Sequence, residues 1–410
     1  MSTPVPSQLQ DGIYLERRDD RAAFLLATLR IHQGARQPEA SHAIGRVWQV
    51  LTELRNGGVM RDLTDTRPGE APVTVPPGTF DGLLGFGASF FDPQRGLTEA
   101  PRPAPLVSVA GPGQPFPQLP WTSGDVTGRG EDDLCLQLTG RDQHAVGRAI
   151  VEAWKVIVDE QLPMTITGTF DGFGRDDGRS WIGFHDGVSN IEPSMRRAAV
   201  ECRGDPDWNR GGTYLAFLRC AVDLAAWRRL TRTEQELLVG RDKLTGAGLR
   251  SVAMCDGTLV PSAFPLPAVD PEASGAFRDP PETGDPIVEA SHVHRANQNR
   301  ASVTTVAGHR IYRQGYEYLD DLTATGPRLG LNFVSFQCEL DHLRQILCLP
   351  SWLGDVNFGG RQERTPGEPP PILAVALDAA GLYAVPPQRG RFPGADLLAQ
   401  NGGVQADTSA

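Results

Sequence analysis

Apolar residues recur along this chain at two alternating periods. Residues 21–31, RAAFLLATLRI, form a near-continuous apolar run of strand length. Ser41 then stands as the N-cap of a helix whose apolar positions are Ile44, Val47, Trp48, Leu51 and Leu54. FDGLLGFGASFF (80–91) is a candidate strand, followed by a long Pro/Gly-rich connection over 93–125. In DLCLQLTG (133–140), Leu134, Leu136 and Leu138 share one strand face, and a helix follows with Val146, Ile150, Ala153, Trp154 and Ile157 together. Two successive β-α-β passages make the ferredoxin-like pattern.

The second half repeats it. GGTYLAFLRC (211–220) predicts a strand. LTRTEQELLVG opens a helix with capping-box spacing, Thr231 with Glu234 or Thr233 with Glu236, and stops it at Gly240. GLNFVSFQCEL (330–340) predicts another strand, leading into a helix with Leu340, Leu343, Ile346 and Leu347 on one face. ILAVALDAAGLYAVPP (372–387) reads as a closing hairpin. The segments 256–290 and 360–371 are rich in Pro, Gly and acid and read as surface loops. The expectation is an α+β protein of two ferredoxin-like modules, antiparallel sheets with peripheral helices. Their extents are residues 1–195 and 196–395, with a flexible tail over 396–410.

Composition narrows the classes of partner. The 410 residues carry 39 Lys and Arg against 50 Asp and Glu, a net charge of -11, with no dense basic block. That balance argues against nucleic acid and anionic membrane surfaces. No apolar run approaches the length of a membrane span, and MSTPVPSQLQDGIYLERR has no basic segment followed by an apolar one, so a cytoplasmic location is expected. The six cysteines, 135, 202, 220, 255, 338 and 348, lie far apart without a Cys-x-x-Cys, which signals neither a zinc ribbon nor a disulfide framework.

Three stretches offer chemistry. GFHDGVSN (183–190) places Asp186 between glycines, a pattern that serves equally as a turn in which Asp bonds its own backbone. SHVHRAN contains two of only eight histidines, His292 and His294; on a strand their rings would share a face, and with a third ligand could hold a non-haem metal. HRIYRQGYEY (309–318) sets Arg310 and Arg313 among three tyrosines, as an amphipathic strand with solvated arginines would.

In their order, GFHDGVSN, SHVHRAN, RIYRQGYEY and GLNFVSFQ resemble the haem-binding half of the dye-decolorising peroxidase family. LLGFGASFF, GGTYLAFLR, TEQELLVGRDKLTG and the closing AVPP extend the resemblance over roughly residues 10–390. It implies haem b held mainly by the C-terminal module, with His292 as the proximal iron ligand. It also implies Asp186 as the distal acid–base group of the Gly-x-x-Asp-Gly motif, whose Gly187 borders the cofactor, and Arg313 as the distal arginine. Leu331 and Phe333 would line the distal side. Arg300, with Arg219 and Arg310, would meet the propionates, and Asp378, Glu339 or Asp341 would accept from His292. Asn299 and Asn332 depart from the family pattern and put pocket polarity in doubt. Tyr312, Tyr316, Tyr318, Trp181 and Trp352 are candidate electron relays, although packing accounts for most such aromatics.

The implied activity is reduction of hydrogen peroxide through a ferryl state, with oxidation of a small aromatic reductant, phenolic or dye-like. A homo-oligomer is left open. Two alternatives stand beside it: a haem enzyme dedicated to one specialised-metabolite oxidation, and a non-catalytic haem-binding protein or cargo of a protein shell. A carrier has no need of an Asp and an Arg together on the distal side, and NGGVQADTSA offers no apolar docking segment.

Overall fold

In the computed structural model, residues 8–13, 22–57, 67–70, 76–109, 129–186, 190–191, 193–204, 206–265, 282–296, 310–324, 326–349, 352–353 and 375–398 are described. The first half runs β1 (Ala23–Ile31), α1 (Gln37–Asn56), β2 (Phe80–Gly87), β3 (Leu134–Gly140), α2 (Gln143–Asp159) and β4 (Met164–Phe173). After α3 (Pro193–Val200) come β5 (Thr213–Val222), α4 (Leu224–Arg229), α5 (Arg232–Val239), the hairpin β6 (Leu249–Cys255) and β7 (Thr258–Ala263), α6 (Pro286–Glu289) and α7 (His292–Arg295). The chain closes with β8 (Tyr312–Thr323), β9 (Gly326–Gln337), α8 (Leu340–Cys348) and β10 (Val375–Val385). Among the described residues no helix is long and apolar enough to cross a membrane.

The strands close in the order β1-β3-β2-β10-β5-β9-β8-β4. Read from β4, the first half gives β4-β1-β3-β2, and the second gives β10-β5-β9-β8. These are the same ferredoxin-like order twice over. The two antiparallel sheets meet where Tyr383 and Ala384 of β10 pair with Gly87 and Phe86 of β2, and where Phe173 of β4 pairs with Glu317 of β8.

Closure buries both faces of most strands, which is why β1 reads as continuous apolar sequence rather than as alternation. Its Phe24 and Leu26 join Phe170, Phe217, Tyr316, Phe336 and Tyr383 in an inner core drawn from both sheets. Leu25, Ala27 and Leu29 face outward onto the apolar stripes of α1 and α2. Strands expose alternate side chains to opposite faces, so one residue of register sorts every position between these environments. On the second sheet the outward positions meet α8 through Leu340, Leu343, Ile346 and Leu347, and leave a cavity between sheet and helices.

Several local expectations change. The cap of α1 is Arg36, which forms a capping box with Glu39 just ahead of Pro38; Ser41 is buried one turn later and accepts from the Arg391 guanidinium at 2.5 Å. Pro in the first turn forfeits no hydrogen bond, so the helix begins earlier than a search for Ser or Thr indicates. Trp154 is 52% exposed rather than packed. β2 ends at Gly87, and Ala88–Phe91 wind into a 3-10 turn. Residues 375–385 form one strand bridging the two sheets, not a hairpin. Part of the expected surface loop 256–290 is structured as β7 and α6, while 360–371 lies outside the described residues. Leu397 and Leu398 are buried, so the chain is still packed where a tail was expected.

Phe170 and Phe217 meet across the inner core in a tilted pair at 4.9 Å between centroids, one from each sheet. Phe217→Ala is therefore expected to lower unfolding free energy by about 3–5 kcal/mol, read from the midpoint of denaturant unfolding.

Candidate active site

A cavity of about 290 Å³ lies on the outer face of the second sheet, at the lower end of the range for cofactor pockets. Leu218, Val222, Leu331, Phe333, Leu343 and Leu347 give it apolar walls. Into it converge His292, Asp186, Arg313, Glu317, Arg310 and Arg241.

The loop carrying Asp186 is held on three sides. Arg179 and His185 form a β-bridge, Asp186 N–H donates to Gly178 O at 2.9 Å, and Gly183 takes φ 88° to turn the loop back. The Arg179 guanidinium donates to the carbonyls of Gly183, Lys243 and Leu244 at 2.8, 2.7 and 3.0 Å. Phe184 is buried against Trp227, whose indole N–H donates to Ile182 O at 3.0 Å. Asn190, the last residue of GFHDGVSN, then clamps the main chain of Arg313: its amide donates to Arg313 O at 2.7 Å and its carbonyl accepts from Arg313 N–H at 3.2 Å. One short stretch thus positions both Asp186 and the strand that bears the Arg313 guanidinium.

Strand β8 divides its residues between core and site. Tyr312, Gln314 and Tyr316 point inward, whereas Arg313 and Glu317 line the cavity. Gly315 lies between them on the cavity side. A Cβ there would sit 3.2 Å from Leu331 and 3.7 Å from both oxygens of Asp186, so the carboxylate rests over the glycine. Asp186 is exposed within this open cavity, while Glu317 is only 3% exposed. Burial foremost, then the negative charge of Asp186, push the Glu317 carboxyl up to about 8; the Trp181 main-chain N–H and Arg175 act in the opposite direction.

His292 comes from another wall. SHVHR is a helical turn, not a strand, so successive residues rotate by about 100° and His292 and His294 cannot share a face. His292 and Val293 line the cavity; His294 is buried and meets Glu289 at 3.2 Å. The expected shared face for a non-haem metal is thereby removed. Arg295, also buried, donates to Trp352 O. The turn docks on α5 at Gly240, which takes φ 89° and whose Cβ, if present, would overlap the Ser291 hydroxyl.

The sequence-predicted residues separate accordingly. Asp186, His292, Arg313, Leu331, Phe333 and Arg310 all border one cavity. Gly187 and Arg300 lie outside the described residues, as does Asn299. Arg219 does not reach the cavity: it is inside the barrel, bonded to Asn332 at 2.8 Å and to Asp320, with its guanidinium 3.5 Å from the Tyr318 ring. Asn332 likewise points inward, donating to Asp171 O at 2.8 Å, so it adds no polarity to the cavity. Asp378 pairs with Arg129 at 3.0 Å and Asp341 with Arg344 at 3.0 Å, while Glu339 lies 3.9 Å from His342. Among the aromatics, Tyr312, Tyr316 and Trp352 are core residues and Tyr318 stacks under Arg219, whereas Trp181 borders the cavity and donates to Tyr318 O at 3.0 Å. Sequence reasoning missed Glu317, Gly315, Asn190 and Arg241. The first two were signalled only by their even spacing from Arg313, and Arg241 by its place just past the helix stop.

The C-terminal model of the Dyp-type peroxidase family matches residues 177–356, the span that builds the cavity. The chain is 34% identical over 216 residues to a dye-decolorizing peroxidase of Mycobacterium tuberculosis, covering 48% of this chain and 59% of that protein. It is 26% identical over 321 residues to a deferrochelatase of Escherichia coli, covering 72% and 68%. DtpA from Streptomyces lividans shares the fold with a TM-score of 0.66 at 23% identity, over 92% of this chain and 93% of that one.

The folded chain holds a proton on Glu317 that the unfolded chain releases near pH 4.5, so stability is full below that pH and falls as pH rises through about 8. Glu317→Gln should flatten the slope in denaturant midpoints measured across this window. Gly240→Ala, strained by φ 89° and by overlap with Ser291, should cost more than about 1 kcal/mol and shift the His292 imidazole signals in NMR.

Proposed function

We propose that the chain is a DyP-type peroxidase, a haem enzyme that takes peroxide as oxidant, and that its cavity holds haem b on His292 and cleaves hydrogen peroxide with Asp186 and Arg313. The observation that carries this reading is the convergence on one apolar cavity of an imidazole from a helical turn with a carboxylate and a guanidinium from the loop and sheet. The donor set fits the group. A neutral imidazole is a common axial ligand, apolar walls suit the macrocycle, and Arg310 and Arg241 offer cations for its two carboxylates.

Bound haem supplies the redox chemistry, taking two oxidising equivalents from peroxide and passing them to a reductant. The chain's own residues handle protons and charge. Asp186 accepts a proton from one peroxide oxygen and returns it to the other, directly or through one water, which makes the outer oxygen a leaving water rather than a leaving hydroxide. The guanidinium of Arg313 stabilises the negative charge that develops on that oxygen and, being always protonated, does not compete as a base. Leu331 and Phe333 keep the surrounding space dry, strengthening both effects. Asn190 and Arg179 act as positioning residues, fixing the main chain on which Arg313 and Asp186 stand. The reductant in this reading is a small phenolic or dye-like aromatic.

The test is the absorption spectrum of the haem-loaded protein. Wild type is expected to show a ferric Soret band that one equivalent of peroxide changes, and His292→Ala to lose or shift that band. Asp186→Asn should bind haem normally and slow the peroxide-driven change by roughly 10²–10⁴-fold. Haem bound without any response to peroxide would favour a carrier, and failure to take up haem would overturn the reading.

A further inference from the structure

We propose, on the basis of the peroxidase reading above, that Glu317 is a second acid of this cavity, a protonated carboxyl beside Asp186 that donates a proton to oxygen leaving as water. Glu317 lines the cavity two positions beyond Gly315, on the same strand face as Arg313. Residues two apart on a strand stand about 7 Å from each other, and the Asp186 carboxylate rests directly over Gly315. The two acidic side chains are therefore neighbours in one pocket. The Trp181 main-chain N–H donates to the Glu317 carboxyl, yet its Oε1 is buried without a hydrogen-bond partner among the described residues.

A buried carboxylate oxygen with no donor is costly, whereas a neutral carboxylic acid in the same place has a proton to offer to whatever enters the cavity. The surrounding charges favour the neutral form. Asp186 and Asp177 oppose ionisation, Arg175 is the cation acting on the group, and the Cys220 thiol on β5 feels it in turn. Arg313, Arg310, Arg241, His185 and His292 border the same cavity. Two carboxyl groups in unlike environments, one exposed and one buried, divide acid and base roles as paired carboxyls do elsewhere.

The overall reaction gives the donor a task. One hydrogen peroxide and two phenols yield two waters and two phenoxyl radicals. Asp186 only shuttles a proton that peroxide already carries between its two oxygens, so two further protons must reach oxygen as the two electrons arrive. When an electron enters from a phenol outside the cavity, the phenolic proton stays at the surface. Glu317 delivers its own proton to the nascent water and is reprotonated from solvent, so no proton is created or lost.

Infrared difference spectroscopy of the haem-free protein is the first arm of the test, independent of turnover. Wild type at neutral pH should show a neutral carboxyl C=O band that shifts in D2O and fades as pH rises through about 8, and Glu317→Gln should lack it. In the haem-loaded protein, Glu317→Gln should lower turnover of a phenol by at least roughly 10²-fold and lose the alkaline limb of its pH profile, with peroxide binding intact. Glu317→Asp, which keeps an acid on a shorter arm, should recover part of both the band and the rate. An unchanged infrared band in Glu317→Gln overturns the assignment of the proton. A missing band with unchanged turnover and pH profile overturns the donor role. Failure of haem to bind would sink the peroxidase reading while leaving the infrared result to stand by itself.

Discussion

Everything at the site depends on one strand being buried on both sides. β8 sends Tyr312, Gln314 and Tyr316 into the barrel, where Tyr316 stacks on Phe24 of the other sheet at 4.4 Å, and Arg313 and Glu317 into the cavity. The core contact fixes the register, and the register fixes the chemistry. A slip of one residue would put a guanidinium into the hydrophobic interior and a tyrosine into the pocket. The packing of the two sheets on each other thereby holds Arg313 and Glu317 at their stations.

The same constraint explains what could be read from the sequence. Element type followed from apolar runs and periods: β1, β5 and β9 stand where apolar runs place them, β3 where a 2-residue alternation does, and the faces of α2, Trp154 apart, and of α8 where a 3.6-residue pattern does. The duplicated module was visible for the same reason. Asp186, His292 and Arg313 were legible because short motifs carry them, and they share a cavity. What escaped was the direction of individual side chains. Arg219 and Asn332 lie beside cavity residues in sequence and face the opposite way, a difference that parity along β5 and β9 decides once pairing is known. Glu317 escaped because a single acid among tyrosines reads as an exposed position, and only the pairing of β4 with β8 buries it. The helical state of SHVHR escaped because four residues are too few to establish a period.

The two acids of the cavity differ in what they cost the fold. Asp186 is exposed at the end of its loop. Glu317 occupies a place where ionisation opposes the fold, since the carboxyl is buried and its Oε1 has no donor among the described residues. A fold optimised for stability alone would place an apolar residue at that position. An acid in that wall is a local inconsistency of the kind expected where chemistry is proposed.

The segment from Gly240 to Leu244 has a mechanical role beyond its length. At one end Gly240 admits the Ser291 turn that presents His292; at the other, the carbonyls of Lys243 and Leu244 receive the Arg179 guanidinium that secures the Asp186 loop. Opposite walls of the cavity thus hang from a common mount of five residues. A substitution anywhere in that mount therefore reaches the seat of the imidazole and the seat of the carboxylate at once.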